Sequence, residues 1–307
     1  MTAMLDSALT AFTTTVPRQY VHRAAVSEVL LTGWRPADAP HAFVVGSQWP
    51  RGHALFAQSD GYQDPMLLAE SVRQTGALLA HAEFGVEFGN QFLMGSMFFA
   101  ATAPLFVATP VPTEVELHAV CHDIVRRGES FAGMRYEVTA MVDGAALATA
   151  GATMSCIRPN VYRRLRGERP TRCDRLPGLP IDPALVGRTD PQHVVLSELP
   201  DGAGNRWELR VDCNHPIFFD HPVDHVPGMV LLEAARQAAH AVTGMPDTLV
   251  IGLDSSFERY AELDEPCVVE AEPTGVDAAG DVQVRVRGLQ SGGPVFDARV
   301  TLRTRNH

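Results

Sequence analysis

The stretch "NHPIFFDHPVDHVPGMVLLEAARQAAH", residues 214–240, decides how this chain folds. His215, His221, His225, Asp220 and Asp224 crowd ahead of Pro227–Gly228, and a helical pattern follows. Between residues 228 and 242 only Glu233, Arg236, Gln237 and His240 are polar. Their spacing of i, i+3, i+4 and i+7 puts them on one stripe of a helix. Met, Val, Leu and Ala fill the other faces, so the helix belongs inside the fold. A sheet that wraps it leaves the polar stripe facing a cleft.

A second helix repeats this pattern. PMLLAESVRQTGALLAH (65–81) sets Glu70, Arg73 and Gln74 against Glu233, Arg236 and Gln237 of GMVLLEAARQAAHAVTG (228–244), 163 residues later. A histidine precedes each helix, His53 and His215. Two strand-like segments precede each helix, 26–34 and 41–49 in the first half, 193–199 and 206–212 in the second. Alternating strands follow at 115–125, 134–142 and 146–157, then at 267–273, 281–288 and 295–303, with Gly- and Asp-rich turns between them. Self-similarity over half the chain indicates a duplicated unit. One long helix followed by antiparallel strands is an α+β arrangement. The expected order is an N-terminal extension (1–19), a first repeat (20–158), an Arg/Pro-rich linker (159–186) and a second repeat (187–307).

Composition narrows the function. The 307 residues carry a net charge of −11, which works against nonspecific nucleic-acid binding. No apolar run reaches the ~18 residues of a membrane span. The first twenty residues have neither the basic region nor the compact apolar run of a signal peptide. Five scattered cysteines without a C-x-x-C fit a reduced cytoplasm better than a disulfide framework or a zinc site. All 25 basic residues are arginine, so no Schiff-base lysine exists, and an anionic ligand must be held by Arg, His or backbone N–H groups. Seven of those arginines fall in RPNVYRRLRGERPTRCDR (158–175), either a solvated linker or a docking strip for an acidic partner.

The arrangement resembles the hot-dog fold, in tandem, with each antiparallel sheet wrapped around a long central helix. The segment from His215 to Gln237 is similar to the signature of hot-dog dehydratases, with about four extra residues between His215 and the Pro-Gly. "VHRAAVSEVLLTGW" and "FDHPVDHVPGMVLLEAARQA" resemble more closely the A-factor synthase (AfsA-type) family of γ-butyrolactone biosynthesis. That resemblance spans roughly residues 20–305. It implies acyl transfer from a β-ketoacyl thioester on acyl carrier protein to the hydroxyl of dihydroxyacetone phosphate. The ester would then lead to a lactone, butenolide or furan signalling molecule that regulates secondary metabolism. It also implies functional roles for Glu70, Glu233 and Arg236. Repeat one departs from the pattern, opening its helix with "YQDPMLL" instead of "HVPGMVLL".

The residues suggest how such chemistry would run. Gly228 and Met229 lie in the first helical turn, whose backbone N–H groups have no intrahelical acceptor and sit at the positive end of the dipole. They suit a thioester oxygen that becomes negative in a tetrahedral intermediate. Burial would raise the pKa of Glu233 and make it a general base on the acceptor hydroxyl, with Glu70 either a second base or a structural relic. Arg236 has the planar fork that grips phosphate, with Arg23 a second candidate. Gln237 lies on the same stripe, and Arg73 could bind substrate or pair with Glu70. His215 could act as an acid/base, and the surrounding His/Asp cluster could equally be a loop satisfying its own backbone. Its spacing matches no standard zinc pattern, so no metal is expected. No nucleotide-binding or redox-cofactor motif is present, and the pantetheine arm would arrive with the carrier protein. A homodimer is a candidate assembly. The rival readings are a dehydratase or thioesterase on the same fold, and a non-catalytic regulator that senses a lactone.

Overall fold

The structure is a computed structural model that describes residues 12–102, 106–173, 177–200, 202 and 204–305. Most of the expected N-terminal extension, residues 1–11, therefore lies outside the described residues. The chain divides into two compact units. The first runs to Arg164 without Gly95–Phe98, and the second comprises Gly95–Phe98 and the chain from Leu165. The division falls inside the Arg-rich segment.

In the first unit β1 (Leu31–Pro36) and β2 (Ala42–Trp49) precede α1 (Met66–Ala82), and β3 (Gln91–Ala101), β4 (Thr113–Arg127), β5 (Ser130–Val142) and β6 (Ala145–Ile157) follow it. Their spatial order is β1-β2-β4-β5-β6-β3. Strand β4 shows why a sheet forms. Val115, Leu117, Ala119 and Cys121 point into the core, while Glu114, His118 and Val120 alternate outward. Helix α1 packs on β1, β2, β5 and β6.

After the short α2 (Pro159–Arg166), the second unit repeats the plan. Strands β7 (Leu196–Glu198) and β8 (Arg206–Leu209) precede α3 (Gly228–Thr243), and β9 (Thr248–Phe257), β10 (Val268–Val276), β11 (Val282–Gln290) and β12 (Gly293–Thr304) follow. The order is β9-β12-β11-β10-β8-β7, and α3 touches all but β8 closely. Gly244 ends α3 in the left-handed conformation, φ 62°, which glycine adopts without strain. This is the tandem hot-dog arrangement, with each central helix enclosed by its own antiparallel sheet.

Two features differ from the sequence expectation. The strands expected over 26–34 and 193–199 begin late, because 3₁₀ turns occupy Val26–Glu28 and Pro191–His193. A glutamine on the helix replaces the missing strand pairing there. Gln74 accepts from Leu30 N and donates to Glu28 O, while Gln237 accepts from Val195 N and donates to His193 O. Strands β3 and β9 lie between the helix and the first strand expected after it. The apolar runs of QFLMGSMFFAA and of TLVIGL at the start of β9 lack the alternation that marks the others.

Candidate functional site

Each helix stripe is a buried ionic cluster. In repeat two Glu233 is fully buried, and a strap over residues 183–195 lies across it. The strap begins as the 3₁₀ turn Pro183–Val186 and reverses at Gly187, φ 64°, where a Cβ would stand 2.7 Å from Pro246 O. Only glycine fits that turn. Arg188 follows at once. It reaches Glu233 Oε1 with Nη2 at 2.7 Å and Nε at 3.1 Å. Arg236 Nη2 donates to Oε2 at 2.5 Å, and Gln237 Nε2 donates to Oε1 at 2.6 Å.

Repeat one builds the same cluster. Arg23 follows the 3₁₀ turn Arg18–Val21 and the left-handed His22, and binds Glu70 Oε1 at 2.7 Å. Arg73 grips both oxygens of Glu70 at 2.8 and 2.9 Å, and Gln74 donates at 2.6 Å. Burial alone would raise the Glu70 pKa, but Arg23, Arg73 and Gln74 together bring it down to about 2. The upward shift was expected for Glu233 on burial alone; the structure places two guanidinium groups beside each helix glutamate, a counter-charge that burial does not reveal. The open cleft expected along the stripe is corrected for the same reason, since a buried carboxylate needs counter-charges and the strap delivers one of them.

The sequence reading found Glu70, Glu233, Arg73, Arg236, Gln237 and Arg23, and the structure sorts them into two clusters, one per repeat. It missed Arg188, which takes beside Glu233 the place Arg23 takes beside Glu70. The signal was present. Val21-His22-Arg23 and Val186-Gly187-Arg188 stand 165 residues apart, as do Glu28 and His193. The linker assigned through residue 186 hid the match.

The preceding histidines are also duplicated. His53 Nδ1 accepts the backbone N–H groups of Leu55 and Phe56, and His215 Nδ1 accepts those of Ile217 and Phe218. Their Nε2 atoms meet different partners, Glu28 Oε2 at 3.4 Å and His193 Nδ1 at 3.1 Å. Burial, His193 and the arginines Arg188 and Arg210 hold the His215 pKa down to about 4, against Asp212, so the ring is neutral near pH 7. His221 and His225 instead pair with their neighbours Asp220 and Asp224.

The helix starts differ. In repeat one the Asp64 carboxylate accepts the Met66 N–H at 2.8 Å. In repeat two Pro227 precedes Gly228 and provides no side-chain cap. A Cβ on Gly228 would meet only the Phe257 ring, at 3.7 Å, so packing does not demand glycine there. Met229 is buried in the same turn.

The Arg-rich segment is partly anchored. Arg166 is buried over the Tyr260 ring and binds Glu262 through two bonds at 2.6 and 2.8 Å and Asp224 at 3.3 Å. Arg158, Arg163, Arg164, Arg169 and Arg172 remain exposed. Within this segment the cysteine expectation also needs correction, since Cys173 is disulfide-bonded to Cys213, 40 residues on. Odd count and wide spacing cannot reveal a single pair that only the fold brings together. Cys121, Cys156 and Cys267 are free and buried, and burial pushes their thiols up to about 12, 11 and 12. Among the described residues no three His, Cys, Asp or Glu side chains gather as a metal site, and no helix is long and apolar enough to cross a membrane.

Fold and clusters together define a tandem hot-dog protein with an arginine-clamped glutamate on each central helix. The sequence matches the A-factor biosynthesis hotdog domain over residues 5–158 and again over 171–305, and the chain belongs to that family. It is 49% identical, over 95% of its own length and 98% of the relative's, to a 2-oxo-3-(phosphooxy)propyl 3-oxoalkanoate synthase of Streptomyces virginiae. A protein of the same name from Streptomyces coelicolor is 38% identical over 92% of this chain and 89% of its own. Among solved structures, the 12:0-ACP thioesterase from Umbellularia californica superposes with a TM-score of 0.53 at 13% identity, over 88% of this chain and 100% of that one, a likeness of fold alone.

Proposed function

We propose that the chain is an acyltransferase that moves a 3-oxoacyl group from a thioester to the hydroxyl of dihydroxyacetone phosphate, forming the 2-oxo-3-(phosphooxy)propyl 3-oxoalkanoate of γ-butyrolactone biosynthesis. The observation that carries this reading is the 49% identity, over nearly the whole of both chains, to a synthase of that product. Acyl carrier protein is the thioester donor in this reading, and the exposed arginines around α2 suit its acidic surface.

The work is assigned to repeat two. The hydroxyl oxygen attacks the thioester carbonyl carbon, and the carbonyl electrons move onto oxygen. The first-turn amides at Gly228 and Met229 suit that oxyanion, with such a donor worth roughly 3–4 kcal/mol. The C–S bond then breaks, and the thiol leaves with the proton that the hydroxyl gave up. Two guanidinium groups against one carboxylate leave excess positive charge at Arg188–Glu233–Arg236, which suits the phosphate of the acceptor. Glu233 sets those two arginines side by side, with Gln237 fixing the carboxylate. It is also the acidic group on the stripe to which the hydroxyl proton could pass. In repeat one Glu70, Arg23 and Arg73 serve the architecture.

The test is incubation with a β-ketoacyl thioester with and without dihydroxyacetone phosphate. A phosphorylated ester that appears only with the acceptor is the expected product. Free acid regardless of acceptor, or an enoyl thioester formed from the hydroxyacyl substrate, would mean a thioesterase or dehydratase instead.

A further inference from the structure

The loop that leads into α3 is held by a residue that the chemistry above does not use. Asp224 to Pro227 run directly into the Gly228–Met229 turn. Arg166, at the end of α2 and 58 residues before Asp224, is buried there. Its Nη2 donates to Asp224 O at 2.9 Å and its Nε to Asp224 Oδ2 at 3.3 Å. Nη1 and Nη2 also meet the two Glu262 oxygens at 2.6 and 2.8 Å, and the guanidinium lies 4.0 Å from the Tyr260 ring centre. The platform beneath is itself fixed. Gln290 of β11 accepts from Glu262 N at 2.7 Å and donates to Glu262 O and Glu265 O at 3.0 and 2.8 Å. Val226 N donates to Ala261 O at 2.8 Å. The segment 260–265 therefore holds the helix entry twice, by its backbone at Val226 and through Arg166 at Asp224.

Repeat one holds the same place by other means. Gln63 aligns with Val226 at the 163-residue offset, and Gln63 N donates to Phe106 O at 2.7 Å as Val226 N does to Ala261 O. The second hold is local. The Gln63 amide donates to Thr113 Oγ1 at 2.9 Å, and Asp64 caps the helix. Repeat two has no such cap and brings in a guanidinium from the linker.

We propose that Arg166 is a positioning residue of the acyl transfer: through Asp224 it sets the Gly228–Met229 amides at the angle that receives the thioester oxygen. This rests on the acyl-transfer reading above. Burying an ion pair costs desolvation that its Coulomb attraction barely offsets, so stability alone gives little reason for this latch. What the latch supplies is direction. The planar fork engages the Asp224 carboxylate, the Asp224 carbonyl and Glu262 together, a geometry that a lysine point charge does not fix. Helix-start amides without a side-chain cap take their orientation from the chain that enters the helix. Oxyanion donors act only when they are held in place before the charge develops.

The test measures ester formation and melting temperature for Arg166→Gln, Arg166→Lys and the double variant Arg166→Gln/Asp224→Asn. Arg166→Gln is expected to lower kcat by roughly 100-fold, and Arg166→Lys, which keeps the charge without the fork, by roughly 10-fold. KM for dihydroxyacetone phosphate should stay within about twofold, because Arg188 and Arg236 are untouched. The double variant should be no slower than Arg166→Gln, since the effect runs through Asp224. Arg303→Gln is the stability control: it breaks the ion pair with Asp281 beside the start of β9, so it should lower the melting temperature and leave kcat unchanged. Wild-type kcat in an Arg166 variant overturns the proposal. So does a rise in KM in place of the fall in kcat, or an equal fall in Arg303→Gln. If Arg166→Gln does not fold, the lysine variant decides alone. A wild-type chain that forms no ester would instead overturn the acyl-transfer reading. The latch is read apart from that reading by hydrogen exchange at the Val226 amide, expected to speed up roughly tenfold in Arg166→Lys, and an unchanged rate overturns it.

Discussion

The two repeats share a buried frame and differ at its edges. Both clamp a helix glutamate between two arginines and a glutamine, and both cap a loop with a histidine Nδ1. Repeat one satisfies its polar ends internally, through Asp64 on the helix start and Glu28 on the histidine. Repeat two has neither acid at those places, with Pro227–Gly228 at the helix start and His193 beside His215. After a duplication, the frame must stay intact for each half to fold. Only the ends are free to diverge, and there an acid in one copy is exchanged for a proline or a histidine in the other.

The largest expected effect comes from the shared frame. Arg188→Ala and Arg23→Ala each leave a buried carboxylate with one guanidinium fewer, so each should lower stability by about 3–5 kcal/mol in denaturant titrations. The comparison sharpens in the kinetics: Arg188→Ala should also raise KM for dihydroxyacetone phosphate, whereas Arg23→Ala should not. Equal increases in KM would mean that both repeats bind phosphate.

A smaller effect tests whether the helices are interchangeable. A Cβ on Gly76 of α1 would stand 2.5 Å from the Tyr136 hydroxyl, which donates to Val72 O. The matching position in α3 is Ala239. Gly76→Ala should therefore cost about 1–3 kcal/mol by overpacking, read as a lower melting temperature with activity preserved. No loss of stability would show that the tyrosine can yield.

The smallest effect separates the repeats by pH. The folded-state pKa of His215 is about 4 against an ordinary 6.5, so the unfolded chain binds its proton first. Stability should fall as pH drops from about 6.5 to 4, with His81, also shifted down by burial, adding to that window. Glu70, at about 2, contributes stability that is fully present above about 4.5 and is lost as pH falls toward 2. His215→Asn keeps an acceptor for the two amides and removes one titrating group, so it should flatten the upper window and leave the lower one unchanged. Identical acid profiles for this variant and the wild-type chain would contradict the assignment.

Much of this was legible in the sequence. The 163-residue offset of Glu-x-x-Arg-Gln exposed the duplication, the central helices and most of the two clusters, because helical periodicity fixes which side chains share a face. The strap was not legible. Its pairing runs through a glutamine side chain instead of a strand ladder, so 26–30 and 193–195 read as strand. Arg188 was lost with it, so the upward shift expected for Glu233 rested on burial without the second arginine that the strap brings to it. The Cys173–Cys213 pair depends on contact between segments 40 residues apart, which spacing does not encode.

The central claim is that repeat two performs the transfer because its helix start is uncapped. At the 163-residue offset Asp64-Pro65-Met66 aligns with Pro227-Gly228-Met229. Pro227→Asp would therefore place a carboxylate on the Met229 N–H as Asp64 does on Met66, and Asp64→Ala would uncap repeat one. The direct measurement is the rate of phosphorylated ester formation by these two variants, each confirmed as folded by circular dichroism. The account predicts a loss of roughly 100-fold or more for Pro227→Asp and no loss for Asp64→Ala. A folded Pro227→Asp chain that makes ester at the wild-type rate would contradict it.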